Sequence, residues 1–180
     1  MIDPVTGLPT HRDIPAQLAH AGHLAILVDV DALIWLNDQF GHEAGDRTLA
    51  EIAWVLRARA AEFDGAMVFR VGGDEFLLIL PEVEPDAVLD VAGRIVADVR
   101  ELEIPFRRLD DPTRTRVEVN AAVLRLDQNL MQSGFGERGM DWSFRAWIAQ
   151  RIYDRKQEIG RAGVVTDLRA DDWTGELRIE

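Results

Sequence analysis

Two apolar stretches flank a glycine-rich turn in residues 66–80, AMVFRVGGDEFLLIL. Ala66–Val71 and Glu75–Leu80 each have the length and composition of a buried β-strand. The residues between them, Gly72, Gly73 and Asp74, are those that a tight turn favours. The segment therefore predicts a β-hairpin with acidic residues at its turn.

The neighbouring segments predict an α+β fold. His23–Asp29 (HLAILVD) is a near-continuous apolar run that ends on an acid, which indicates a buried strand. Apolar spacing predicts helices over Asp31–Phe40, Gly45–Glu62, Pro85–Leu102 and Asp141–Ile159, strands over Arg114–Leu126 and Ala162–Leu168, and a loop over Gln128–Met140. We expect a ferredoxin-like core, with a mostly antiparallel sheet flanked by helices, over residues 1–168. Residues 169–180 are expected to form an acidic tail or a short β-element.

Composition excludes several classes of protein. The 180 residues contain no cysteine, which rules out a disulfide scaffold, a thiolate zinc site and a cysteine nucleophile. The net charge of −12, from 20 basic and 32 acidic residues, argues against nucleic acid as a partner. Met1 is followed by neither a basic nor an apolar signal-peptide region, and we find no membrane-spanning stretch. We therefore expect a cytoplasmic protein that binds no membrane.

Two acidic clusters lie where predicted strands end. Asp29 closes the first strand, whereas Asp74 and Glu75 lie at the hairpin turn. An antiparallel core can bring them to one edge, where converging carboxylates repel each other unless a cation neutralises them. Oxygen ligands without His or Cys favour Mg²⁺ or Mn²⁺. The alternative is that these acids only favour turns and strand ends.

Gly72 and Gly73 allow two compatible interpretations. They satisfy the backbone of a hairpin turn. They also leave space for a phosphate group beside the acids.

Five ordered motifs resemble the GGDEF family of diguanylate cyclases. The central one is RVGGDEF, residues 70–76. The others resemble the family's D-x-L-T-G-L, D-x-D-x-F-K-x-x-N-D, G-H-x-x-G-D and Y-x-A-K, and they begin at Asp3, Asp29, Gly41 and Tyr153. Ordered motifs at family spacing are far more specific than a single pentapeptide. The resemblance implies the palm-type core of nucleotide cyclases.

The resemblance also implies an activity and a set of metal ligands. The family condenses two GTP molecules into cyclic di-GMP and releases two pyrophosphates. By the motif match, Asp29, Asp74 and the Val30 carbonyl would bind two Mg²⁺ or Mn²⁺ ions per active site. Asp74 or Glu75 would help to remove the proton from the attacking 3′-hydroxyl.

The same match implies how the nucleotide is bound. Asn37 and Asp46 would contact the guanine edge, and an ATP-using cyclase is disfavoured because Asp46 accepts from guanine N1–H and N2–H₂. Lys156 and Arg161 would contact the phosphates. Lys156 is the only lysine among the 20 Lys and Arg residues.

Several positions depart from the family pattern. Leu33-Ile34 replace the family's F-K, which removes a lysine that faces the triphosphate, and weak activity is therefore expected. The spacing from Lys156 to Arg161 is one residue longer than in the family. Asn120 stands in place of the serine of the family's S-I-G-V strand. Phe63 and Ala66 replace the R-x-x-D motif, so no inhibitory product site is expected.

Two functions remain open. The first is a diguanylate cyclase that acts across a symmetric dimer, because each 3′-hydroxyl attacks the α-phosphate of the other GTP. The high negative charge predicts that this homodimer is transient or weak. The second is a non-catalytic domain that senses GTP or a cyclic dinucleotide. No sensory segment precedes Met1 in this sequence, so either the sequence is a piece of a longer protein or a regulatory protein partner controls it.

Overall fold

The computed structural model describes residues 1–14, 23–81, 83–107, 113–126, 135–136, 139–160 and 162–168. The strands are β1 (His23–Val30), β2 (Met67–Arg70), β3 (Glu75–Leu80), β4 (Val119–Leu126), β5 (Phe135–Gly136), β6 (Gly139–Met140) and β7 (Val165–Leu168). The helices are α1 (Leu33–Phe40), α2 (His42–Ala60), α3 (Pro85–Glu101) and α4 (Trp142–Ile159), with a short 3₁₀ helix at His11–Asp13.

A five-stranded sheet has the order β2-β3-β1-β4-β7. Only the β4–β7 pair is parallel; the β1–β3, β1–β4 and β2–β3 pairs are antiparallel. The predicted α+β fold with a mostly antiparallel sheet is therefore confirmed. The expected tail, residues 169–180, lies outside the described residues.

Two apolar layers cover the sheet. On one face, alternate residues of β1 such as Ile26 and Val28 pack with α1, α2 and α3. On the other face, Ala25 and Leu27 pack with Phe144 and Ile152 of α4. Because β1 is central and buried on both faces, its sequence is a continuous apolar run instead of an alternation.

The predicted boundaries differ most from the observed ones in two regions. The strand expected to begin at Arg114 begins at Val119, because residues 113–118 form an irregular segment. In this segment Arg116 makes an isolated bridge with Pro105, and the Glu118 carbonyl accepts the Asp31 N–H. The loop expected over Gln128–Met140 contains the β5–β6 pair. Each of these strands has two residues, which is too short for an apolar pattern in the sequence to indicate it. Residues 127–134 and 137–138 of that loop lie outside the described residues.

Candidate functional site

The acids from the two predicted clusters meet at one end of the sheet. Asp29 is opposite Glu75 of β3 and opposite Asn120 of β4 in the sheet register. The next residue, Val30, donates its N–H to the Asp74 carbonyl at 2.9 Å. The central position of β1 therefore brings Asp29, Asp74 and Glu75 together, as the sequence predicted.

Burial and mutual repulsion act on this acidic cluster. Burial, followed by the charge of Asp74, raises the pKa of Asp29 to about 6, against the opposing effects of Asn120 and Lys156. Burial also raises the pKa of Glu75, with Arg145 lowering it and Asp74 raising it further. Bringing these carboxylates together therefore carries an electrostatic cost that a cation would relieve.

Asn120 fixes the position of the Asp29 carboxylate. Its side chain is fully buried and donates from Nδ2 to Asp29 Oδ2 at 3.3 Å. Its Oδ1 accepts the Gly163 N–H at 3.0 Å. The sequence indicated Asn120 only as a departure from the family pattern. The available signal in the sequence was a polar amide within the apolar run of β4. Such a residue is expected to be buried, and a buried polar group requires a hydrogen-bond partner.

Arg70 holds the hairpin turn from the β2 side. Its guanidinium donates to the carbonyls of Gly72 at 3.2 Å and Gly73 at 2.6 Å. It also pairs with Asp3 at 2.9 Å, and Asp3 accepts the Thr6 N–H at 2.8 Å. The first motif of the chain is thereby linked to the turn.

Gly72 provides space that the Glu75 side chain occupies. A Cβ atom at Gly72 would lie 2.3 Å from Glu75 Oε2. At Gly73, by contrast, a Cβ would meet no described atom within 4 Å. Gly72 is therefore required for a close approach within the turn, whereas Gly73 leaves the turn open.

Arg145 of α4 reaches the same turn from the other face of the sheet. Its Nε lies 3.1 Å from Glu75 Oε2, and its Nη1 donates to the Val71 carbonyl. Sequence reasoning missed Arg145. Its separation of eleven residues from Lys156, close to three helical turns, was the available signal, since it places both cations on one side of α4.

A second cluster of charges lies beside Asp29. Asp31 is 6% exposed and pairs with Lys156 through Oδ1 and with Arg114 through Oδ2, the latter at 2.6 Å. Its N–H donates to the Glu118 carbonyl at 2.9 Å. The sequence placed Lys156 near the acidic site but did not predict that Asp31 would bind it, or that Arg114 would share the carboxylate.

Asn37 lies where α1 approaches the first turn of α2. Its Oδ1 is buried and has no hydrogen-bond partner among the described residues. A Cβ at Gly45 would lie 1.9 Å from this oxygen, so only glycine admits the Asn37 amide there. Asp46, the next residue, is exposed. The unpaired Asn37 oxygen and the exposed Asp46 carboxylate are both hydrogen-bond acceptors. Together they form a polar surface suited to a ligand that presents hydrogen-bond donors.

Three further expectations concern the phosphate contacts at Ile34 and Arg161 and the metal ligands. Ile34 is apolar, so it contributes no charge at the site, and its side chain is 72% exposed on α1. Arg161 lies outside the described residues. Among the described residues, no three His, Asp or Glu side chains form a group that could hold a metal ion by themselves.

Comparison with known proteins identifies the family. The family description "Diguanylate cyclase, GGDEF domain" matches residues 1–134, most of the 180-residue chain. The chain belongs to the GGDEF family. The match ends before α4, so Arg145 and Lys156 of this GGDEF protein lie beyond the matched residues.

Relatives with curated functions are diguanylate cyclases. DgcM of Escherichia coli is 34% identical over 111 residues, 57% of this GGDEF chain and 27% of that protein. DgcP of Pseudomonas aeruginosa is 30% identical over 160 residues, 84% of this chain and 23% of that protein. The chain thus spans about a quarter of the length of these relatives.

Solved GGDEF structures share the fold. The coiled-coil and GGDEF region of DgcB from Caulobacter crescentus, in complex with c-di-GMP, has a TM-score of 0.70 at 19% identity, covering 93% of this chain and 85% of that chain. The diguanylate cyclase SiaD of Pseudomonas aeruginosa, in complex with its activator SiaC, has a TM-score of 0.67 at 23% identity, covering 93% and 61%.

Across the described part of this GGDEF chain, no helix combines the length and the apolar character needed to cross a membrane.

Proposed function

We propose that this chain is a diguanylate cyclase that condenses two GTP molecules into cyclic di-GMP and two pyrophosphates. The observation that carries the proposal is the convergence of Asp29, Asp74 and Glu75 at one end of the sheet, with a pKa of about 6 for Asp29. Membership of the GGDEF family supports it. We propose that the domain comprises residues 1–168, because β7 completes the sheet, and that it acts in the cytoplasm.

The donors at this end of the sheet fit Mg²⁺ or Mn²⁺. The Asp29 and Asp74 carboxylates and the Val30 carbonyl would hold the metal, two ions per active site. All three donors are oxygens, as these hard cations prefer. Since no three side chains suffice among the described residues, nucleotide phosphates and water would complete the coordination, as is usual for Mg²⁺. When bound, the metal would neutralise charge on the phosphates and activate the 3′-hydroxyl.

The hairpin residues would act on the attacking hydroxyl. Glu75 or Asp74 would accept the 3′-hydroxyl proton, and a raised pKa suits Glu75 to this role near neutral pH. Gly73 would leave room for the phosphate beside the turn, whereas the Glu75 side chain occupies the space at Gly72. Arg145 and Arg70 would hold the turn in place during the reaction.

Asn37 and Asp46 would recognise guanine. Asn37 Oδ1 is an acceptor without a described donor, and the base would supply one. The Asp46 carboxylate would accept from N1–H and N2–H₂, whereas adenine presents an acceptor at N1. We expect GTP to bind at least about tenfold more tightly than ATP in calorimetry, because an unmatched polar pair is costly. Equal affinities would contradict this assignment.

Lys156 and Arg161 would contact the triphosphate. Lys156 lies at the site, paired with Asp31. The family pattern has a further phosphate-facing lysine at the position of Ile34. Because isoleucine carries no charge, we expect slow turnover. We propose no inhibitory product site, because Phe63 and Ala66 stand where the R-x-x-D motif would lie.

The reaction requires two copies of the chain face to face. Each GTP supplies one nucleophile and one α-phosphate, so the complex is two-fold symmetric. A net charge of −12 opposes the approach of two copies, which predicts a weak homodimer. Specific activity should therefore rise with enzyme concentration. A regulatory protein could promote this encounter; the solved SiaD structure contains an activator protein.

The decisive experiment is incubation with GTP and Mg²⁺ or Mn²⁺, followed by chromatography of the products. Wild-type protein should form cyclic di-GMP, and Asp74→Ala should form none while it keeps its circular dichroism spectrum. Asp38→Ala, an exposed acid of α1, is the matched control for stability. If wild-type protein binds GTP but forms no product with either metal, the non-catalytic sensor is the better assignment.

A further inference from the structure

Asp31 has two cationic partners on separate oxygens. Lys156 of α4 binds Oδ1, and Arg114 of the segment before β4 lies 2.6 Å from Oδ2. The carboxylate is 6% exposed, and a buried charge is stable only beside an opposite charge. One cation is enough to provide that charge. The second cation can therefore leave Asp31 and bind another anion.

The two cations differ in their freedom to move. The Lys156 side chain is 23% exposed and Arg114 is 14% exposed. Arg114 also lies 4.0 Å from Glu118, which is itself paired with Arg100 at 2.7 Å. Lysine carries a compact charge on a flexible stem, whereas a guanidinium has a fixed planar geometry. Lys156 is therefore the cation that can leave Asp31.

We propose that Arg114 is a positioning residue for nucleotide binding: it keeps buried Asp31 neutralised when Lys156 moves to the triphosphate. The inference rests on the proposed function, in which Lys156 contacts the GTP phosphates. If Arg114 were absent, the departure of Lys156 would leave an unpaired buried carboxylate, which is strongly unfavourable. Lys156 would then stay on Asp31, and the phosphates would lose a contact.

This arrangement explains the chemistry of the only lysine. The chain uses arginine at every other basic position, and its one lysine stands where a cation must change partners. Arg114 controls the affinity for the nucleotide without touching it. Replacing Arg114 should therefore weaken nucleotide binding, and the size of this effect should depend on the charge of Asp31.

The test measures binding without turnover. The probe is 3′-deoxyguanosine 5′-triphosphate with Mg²⁺, which lacks the attacking hydroxyl, and the method is isothermal titration calorimetry. Arg114→Gln should weaken binding by about tenfold, equivalent to about 1.4 kcal/mol. Arg116→Gln, an exposed arginine of the same segment, removes the same charge and should change binding by less than about twofold. Equal losses in the two variants would overturn the inference.

A second background isolates the role of Asp31. In Asp31→Asn protein, there is no buried charge to compensate, so adding Arg114→Gln should change affinity by less than about twofold. A full tenfold loss in that background would overturn the inference. Arg114→Lys retains the cation and should restore most of the affinity.

The native chain offers a direct readout that no substitution can disturb. Since Lys156 is the only lysine, protein labelled with ¹³C at lysine Cε gives one signal for this side chain. The signal should shift when the probe saturates wild-type protein. If the probe binds and the signal is unchanged, Lys156 does not move and the inference is wrong. If the probe does not bind wild-type protein, the proposed function fails, and this inference fails with it.

Discussion

The Oε2 atom of Glu75 lies 3.1 Å from Nε of Arg145, so the last acid of the hairpin turn is paired with a cation from α4. The same guanidinium donates to the Val71 carbonyl on the other side of the turn. One arginine therefore spans the turn that contains Gly72, Gly73 and Asp74, and it restricts where the Glu75 carboxylate can lie.

Arg145→Ala should lower kcat for cyclic di-GMP formation by about tenfold to a hundredfold, with little change in KM for GTP. The reason is that a displaced Glu75 is poorly aligned with the attacking hydroxyl. Steady-state kinetics measure both constants, and Arg145→Lys should restore part of kcat. Arg155→Ala, on the exposed side of the same helix, is the control. An unchanged kcat with a raised KM would show that Arg145 binds substrate instead.

Gly45→Ala should reduce the affinity for GTP by about tenfold or more, because the new Cβ would displace Asn37 Oδ1 and leave the base without its partner. The preference for GTP over ATP should decrease in the same calorimetric titrations. Gly93→Ala of α3 is the matched control, since no described atom lies within 4 Å of its Cβ. It should raise the free energy of unfolding by up to about 1 kcal/mol and leave nucleotide binding unchanged. If Gly45→Ala binds GTP with wild-type affinity, Asn37 does not contact guanine.

Ile34→Lys should raise kcat by about tenfold, because it restores a cation that faces charge on the transferred phosphoryl group. Ile34 is exposed, so the change should not alter the thermal unfolding temperature. Ile2→Lys adds the same charge at another exposed site and should leave kcat unchanged. A similar gain in both variants would indicate that net charge, by easing the approach of two copies, limits the rate.

The stability that Asp3 provides should decline at low pH. Although burial opposes the shift, hydrogen bonds from Thr6 and Arg70 lower the pKa of Asp3 below its ordinary value of about 3.9. A lowered pKa means that Asp3 stabilises the fold above pH 3.9 and that this contribution is lost as the pH falls through the folded-state pKa.

Asp3→Asn should therefore cost about 2 kcal/mol in the free energy of unfolding at pH 6, and less at pH 3. Urea denaturation at the two pH values measures the difference. Asp38→Asn removes an exposed acid and should cost less than about 0.5 kcal/mol at pH 6. A cost for Asp3→Asn that is the same at both pH values would show that its charge does not stabilise the fold.

Local sequence patterns predicted the elements and the acidic cluster. The apolar run of β1 and the hairpin turn each depend on neighbouring residues, and an antiparallel arrangement then brings Asp29 to Glu75. Arg145, Arg114 and Asn120 were not predicted, because their partners are distant in the chain. The apolar face of α4 indicates which side is buried, but it does not indicate which strand ends the helix crosses. Whether Arg114 meets Asp31 depends on the path of an irregular segment, for which periodicity has no signal.

The late position of α4 in the chain affects the order in which the site acquires its charges during synthesis. Asp29, Asp31 and Glu75 are made well before Arg145 and Lys156. Translation of the 18 residues of α4 takes about one to four seconds. During that interval Arg114, which is already made, is the cation available to Asp31, whereas Glu75 lacks Arg145. A nascent chain that ends before α4 therefore carries the acids of the site without the cations that this helix contributes.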